Sequence, residues 1–174
     1  TIEKFAYHGI VTGAGWVVEG NEIRYCHSHG VRAFNGTKVI GNYIHHNGNM
    51  GIFGSGAGLV FEGNEVAYNN YLNFGKLAGM WHAGAAKIVV ADGTEVRNNW
   101  SHHNLGDGWW FDIDTVNNLV EGNVFEDNFR FGLLYEISWD GVIRNNVFRR
   151  NGQSGLWVNG SSNIEAYDNL FESQ

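Results

Sequence analysis

TKVIGNYIHHNGNMGIFGSGA, residues 37–57, is one period of a repeat that runs the length of the chain. Two apolar residues, Val39 and Ile40, lead into Gly41-Asn42; Ile44 and a second asparagine, Asn47, follow, and Gly51 opens an alternating segment. The first asparagine recurs as Asn21, Asn42, Asn64, Asn99, Asn123, Asn146 and Asn169, at intervals of 21, 22, 35, 24, 23 and 23 residues. A period in this range marks a solenoid, a propeller or an array.

Other columns keep pace with it. Three residues before each asparagine stand Val18, Val39, Phe61, Val96, Val120, Ile143 and Ala166. Two after it stand Ile23, Ile44, Val66, Ser101, Phe125, Phe148 and Phe171. Five after it stand Cys26, Asn47, Asn69, Asn104, Asn128, Asn151 and Gln174. Nine after it stand Gly30, Gly51, Gly108, Gly132 and Gly155, and the longer third period is expected to delay its glycine to Gly79. Each glycine begins an in-out alternation, which denotes strands. Three short strands and tight turns in about 22 residues describe a parallel β-helix, with equivalent strands roughly 4.8 Å apart along the axis. The fold class is therefore all-β: a parallel β-helix solenoid of about seven turns, forming a single domain over 1–174. At each inward bend a stacked asparagine satisfies backbone groups that no strand ladder reaches. Gly20, Gly41, Gly63, Asn98, Gly122, Asn145 and Asp168 precede the asparagines, and these residue types best tolerate a left-handed backbone.

These columns resemble the repeats of the pectate-lyase-like superfamily, and the resemblance spans essentially all 174 residues. It implies a right-handed solenoid. The superfamily includes lyases, hydrolases, uronan epimerases, tailspikes and binding modules. The catalytic signatures of pectate lyases, polygalacturonases and mannuronan epimerases are not found in the chain, so no catalytic residue is carried over. A polysaccharide or oligosaccharide partner and a secreted, extracellular or periplasmic location are the expectations.

Composition narrows the rest. There are 25 glycines, 22 asparagines and no proline, as turns with positive φ require. A net charge of −7 argues against nucleic acid, and no run is long and apolar enough to suggest a membrane partner. A lone cysteine, Cys26, fills an amide slot and reads as a small buried substitute. The repeat is cut at both ends, so the chain is expected to be a segment of a longer solenoid, or to associate end to end.

The candidate site follows from the register. Residues one past the glycine should point inward (Ile10, Val31, Ile52, Met80, Trp109, Leu133, Leu156). Residues two past it should form an exposed axial stripe: Val11, Arg32, Phe53, Trp81, Trp110, Leu134 and Trp157. An aromatic track of this kind suits sugar rings, and contiguous exposed apolar surface marks an interaction site. The alternative is a satellite core covered by an insertion. Length added over Tyr71–Ala78 and Gly84–Thr94 flanks a strand expected at 79–83, with an extended segment over AAKIVVADGT. Four past the glycine, Asp112 and Glu136 fall on adjacent turns, roughly 5 Å apart, with Asp114 two residues beyond Asp112 on the same face.

Three chemistries fit these carboxylates. A retaining glycosidase uses two carboxyls at about this separation. A Ca²⁺ site could draw on Asp112, Asp114 and Glu136, although no cofactor is required. A lyase or epimerase needs a base beside a neutralised carboxylate, for which Lys87 is the candidate. A solvated acidic ridge paired with nearby Arg or Lys is the plain alternative. His82 points inward in this register, and a slip of one residue would bring it beside Asp112 as a further substrate contact. His45, His46, His102 and His103 follow ladder asparagines and read as surface or packing residues. Glu126, Asp127, Arg149, Arg150 and Glu172 read as cross-turn ion pairs. Taken together, the sequence favours a carbohydrate-active protein that binds and modifies a polysaccharide. The alternatives are a non-catalytic carbohydrate-binding module or a structural stacking segment.

Overall fold

The computed structural model describes residues 1–74 and 83–173. Its strands are parallel and stack turn upon turn into three faces. The short-strand face has eight members, from Ile2–Glu3 and Glu22–Arg24 through Tyr43–His45, Glu65–Ala67, Trp100–His102, Val124–Glu126 and Val147–Arg149 to Leu170–Glu172. The long-strand face runs from Ile10–Val11 through His29–Phe34, Met50–Ala57, Gly84–Asp92, Trp109–Val116 and Phe131–Glu136 to Ser154–Asn159. The third face runs from Val17–Glu19 to Ser162–Tyr167, and the pair Val116↔Trp139 joins it to the long-strand face.

The core is a tube filled by the predicted columns. Val18, Val39, Phe61, Val96, Val120 and Ile143 come from the third face, and Ile23, Ile44, Val66 and Phe125 from the short-strand face. Val31, Ile52, Trp109 and Leu133 come from the long-strand face, and all are buried together. Phe125, Phe148 and Phe171 stack in sequence at 5.3 and 5.0 Å between ring centroids.

Both asparagine columns are ladders. Each Asn in the first offers its Oδ1 to the backbone N–H and the Nδ2 of the residue one turn earlier. This runs without a break from Asn21 to Asn169. The second does the same from Asn47 to Asn151, and buried Cys26 receives Asn47 Oδ1 on its backbone N–H alone. Gln174 lies outside the described residues. Every residue before a first-ladder asparagine has positive φ, from 53° at Asn98 to 68° at Gly122. The second ladder has the same backbone but no small residue to announce it: Tyr25, His46, Tyr68, His103, Asp127 and Arg150 hold φ of 51–55°.

One strand departs from the sequence reading. The third-period strand is Gly84–Asp92, not 79–83, and Ala85 takes the slot between Gly51 and Gly108. Sixteen positions separate Asn69 from Ala85, against four between Asn47 and Gly51. All the added length therefore precedes the strand, and the stretch read as a second insertion is the strand itself. Gly79, Met80, Trp81 and His82 lie outside the described residues.

Candidate functional site

The register of Gly84–Asp92 puts Lys87 beside Phe53 on one side and Trp110 on the other, and Val89 beside Asp112. Lys87 thus holds the outward slot that the sequence reading gave to Trp81. Its Nζ lies 2.8 Å from Asp112 Oδ2 and 3.6 Å from the Trp110 ring centroid. All three side chains are nearly inaccessible to solvent. The strand alternation that fills the tube with Ala86 and Ile88 places Lys87 on the opposite, outer side of the sheet. Its ammonium is therefore buried outside the core, in a second layer.

That layer is built by neighbours. Trp110, Leu134 and Phe131 form a small buried cluster separate from the main core. Phe131 stands one residue before its glycine and packs, tilted, with its ring centroid 4.6 Å from that of Trp157, which stays 41% exposed. In the same slot one turn earlier is Asp107, 1% exposed. Arg130 Nη1 lies 3.3 Å from its carboxylate, which also accepts the Phe131 N–H at 3.3 Å. Burial pushes the Asp107 carboxyl up to about 6, against the opposing pull of Arg130 and Lys87. Farther along the face Arg32 lies over the Phe53 ring at 4.9 Å, and His29 is 5.9 Å from that ring.

Several expectations need correction. Trp110 and Leu134 are not an exposed track: they are buried, because Phe131 packs over the outer side of the sheet. Phe53 is half-buried, and among the described hydrophobic residues of the stripe Val11 and Trp157 retain the expected exposure. Asp112 is ion-paired with a lysine, as the plain alternative has it, but it is buried rather than solvated. Glu136 is on the predicted face but accepts a hydrogen bond from Asn159 Nδ2 at 2.8 Å, on the turn after its own, whereas Asp112's partner Lys87 lies on the turn before Asp112. Asp114 leaves the row altogether. The strand bulges at Ile113 and Asp114, with φ of 30° and 58°, and both side chains turn to solvent. Among the described residues no three His, Cys, Asp or Glu side chains converge as a metal site. Trp81 and His82, expected as substrate contacts, lie outside the described residues. Asp107, Arg130 and Phe131 were missed. For Asp107 and Phe131 the sequence signal is a large or charged residue directly before the strand glycine, a slot the alternation assigns to neither face, and Arg130 stands one residue earlier still.

A model of the "Right handed beta helix region" matches residues 9–171. No curated protein sequence matches this chain. Among solved structures, the periplasmic alginate epimerase AlgG is similar over 94% of this chain and 42% of its own, with TM-score 0.74 and 16% identity. The A-module of the Azotobacter vinelandii mannuronan C-5 epimerase AlgE4 is similar over 88% and 41%, with TM-score 0.69 and 21% identity. The enzymatically active domain of bacteriophage CBA120 tailspike protein 2 is similar over 90% and 24%, with TM-score 0.70 and 11% identity. The chain thus spans less than half the length of each of these. With nearly the whole sequence inside the family match, stacked parallel turns and two continuous amide ladders, this protein belongs to the right-handed β-helix family.

Proposed function

We propose that the protein binds a polysaccharide along the outer side of its long-strand face and modifies it by proton transfer at Lys87 and Asp112. One observation carries this reading: an ammonium–carboxylate pair at 2.8 Å, stacked on an indole, buried on the outside of a solenoid whose core does not need it. A buried ion pair is a poor stabiliser, because the cost of removing both charges from water offsets their attraction. Its placement among aromatics on a face suited to an extended ligand therefore points to chemistry. Support comes also from the fold's neighbours, two of which are named as alginate or mannuronan epimerases.

The chemistry follows from the groups. Lys87 and Asp112 form a donor and an acceptor in contact, able to take a proton from a sugar carbon or hydroxyl and to stabilise the charge that results. Trp157 and Phe53 flank the pair along the axis as platforms for neighbouring sugar rings. A lyase or epimerase fits this pair better than a retaining hydrolase does. Hydrolysis would need Asp112 and Glu136 to act together, and each is committed to a different partner.

The test is a screen of polysaccharides for product formation, followed by variants on the responsive one. Asp112→Asn should lower kcat by roughly 10²-fold or more, while Trp157→Ala should raise KM with kcat nearly unchanged. Melting curves run alongside would exclude unfolding. Unchanged turnover in folded Asp112→Asn would refute the assignment. Retention on polysaccharide without any product, lost in Trp157→Ala, would instead identify a binding module.

A further inference from the structure

On the short-strand face, well separated in the coil from Lys87, the same arrangement of side chains occurs twice. In Tyr43-Ile-His45-His46-Asn47 the two imidazoles approach Nδ1 to Nδ1 at 2.8 Å. In Trp100-Ser-His102-His103-Asn104 they approach at 2.9 Å. Each first histidine turns its Nε2 to a glutamate of the preceding turn: His45 to Glu22 at 3.3 Å and His102 to Glu65 at 3.2 Å. Each is also braced by an aromatic ring two residues earlier, Tyr43 at 3.8 Å and Trp100 at 4.0 Å between centroids.

Adjacent residues on a strand normally point to opposite sides. Here the second histidine of each pair has left-handed φ, 51° at His46 and 53° at His103, as the second amide ladder requires. That turn swings both imidazoles outward together. The proton inventory then fixes their roles. The glutamate accepts from Nε2–H of the first histidine, so the Nδ1 of that ring carries a lone pair and the second ring supplies the single proton between them. Moving that proton to the Nε2 of the second ring leaves two lone pairs converging on one point. A carboxylate that holds the far N–H of an imidazole is the usual support of a metal-ligating histidine, since it fixes the tautomer and raises the ring's basicity.

We propose that His45–His46 and His102–His103 are two equivalent two-histidine sites for a borderline transition-metal cation such as Zn²⁺, Ni²⁺ or Cu²⁺, oriented by Glu22 and Glu65, with water completing the coordination. Zn–N bonds of about 2.0–2.1 Å at a tetrahedral angle place the nitrogens about 3.3 Å apart, so each pair need open by only about 0.5 Å. The sites are independent of one another. Ala67 and Tyr68 occupy the intervening turn, with Tyr68 lying between His46 and His103 at ring distances of 5.0 and 5.2 Å.

Calorimetric titration of the whole chain with ZnCl₂ and with NiCl₂ at pH 7.5 tests this. Two ions should bind per chain. His46→Ala should remove one and His46→Ala/His103→Ala both, with circular dichroism confirming that the second-ladder turn survives. Glu22→Gln should weaken one of the two sites by roughly tenfold or more, which an adventitious imidazole contact would not do. His8 approaches His29 Nδ1 to Nδ1 at 3.0 Å with no carboxylate among the described residues on its own Nε2, so His8→Ala should leave the stoichiometry at two. Absence of saturable uptake at submillimolar metal, or two ions still bound by the double variant, overturns the proposal.

Discussion

Asp107 shows how a single side chain can tie the site to pH. It is buried beside Arg130, and burial raises its carboxyl to about 6 in the folded chain. In the unfolded chain the group titrates near 3.9. The folded state thus holds the proton more tightly than the unfolded one. Stability is greatest below about 4 and is lost as pH rises to about 6, by on the order of 3 kcal/mol in all. Asp107→Asn keeps an acceptor for the Phe131 N–H and removes the titration. The stability difference between the native protein and this variant, from urea melts, should therefore shift by about 1–2 kcal/mol in the variant's favour between pH 5 and pH 7. Parallel pH profiles would show that Arg130 holds the carboxylate charged throughout. If the site works as proposed, the same group should appear as an apparent pKa near 6 in the pH dependence of turnover, since it feels the charge of Lys87.

Among elements, the ladders and the strand glycines answer to different physics, and substitutions separate them. Asn123 is fully buried and gives its Nδ2 to Val96 O, Glu121 O and Asn146 Oδ1 while accepting from Asn99. Asn123→Ala strands several buried partners and should cost about 3 kcal/mol or more. Asn21, at a half-exposed end of the same column, should cost under about 1 kcal/mol when cut to Ala. Gly41 has open space where a Cβ would go, so Gly41→Ala pays only for its left-handed φ of 59°, about 1–2 kcal/mol. At Gly108 a Cβ would sit 2.5 Å from Gly132 O and 2.6 Å from Asn128 Nδ2, so Gly108→Ala should be the more damaging despite its ordinary φ. Equal melting losses at the two glycines would contradict this. The contrast also explains what the sequence revealed. The first ladder was legible because its bend selects Gly, Asn or Asp, and these repeat. The strand opening was legible only as "glycine", whereas the slot needs a small residue, and Ala85 meets that need. Seeking a glycine led to Gly79 and carried Trp81 into a row that belongs to Lys87. Asp114 was misplaced for a related reason. The corner bulge puts β-branched residues, Val90, Ile113 and Ile137, at positive φ of 47°, 30° and 47°, where no residue preference advertises it. The Lys87–Asp112 contact thus needed a strand register that the glycines alone do not specify.

At the scale of the whole molecule, each turn touches only the turns before and after it, so stability is distributed along one dimension. The interior turns carry complete stacks: Asn64, Asn99 and Asn123 are buried and hydrogen-bonded on both sides, and Phe61, Trp109 and Phe125 are inaccessible. On the turn that holds Asn169, Leu170 and Phe171 are 51% and 52% exposed, and Ala166 is exposed as well. Opening should therefore begin at the ends and move inward, with the central turns last. Hydrogen exchange of this chain should find the slowest amides on the ladder residues Asn64, Asn99 and Asn123 and on the strand Gly84–Asp92 that joins Lys87 to the site. Protection should fall stepwise toward Ile2–Glu3 and Leu170–Glu172. The Asn123→Ala variant should lower protection in its own turn and the two beside it while leaving Asn42 nearly unchanged. A uniform loss over all turns would mean that the coil opens as one cooperative body. The nearest-neighbour account would then fail, along with the expectation that Lys87 and Asp112 stay poised while the ends fray.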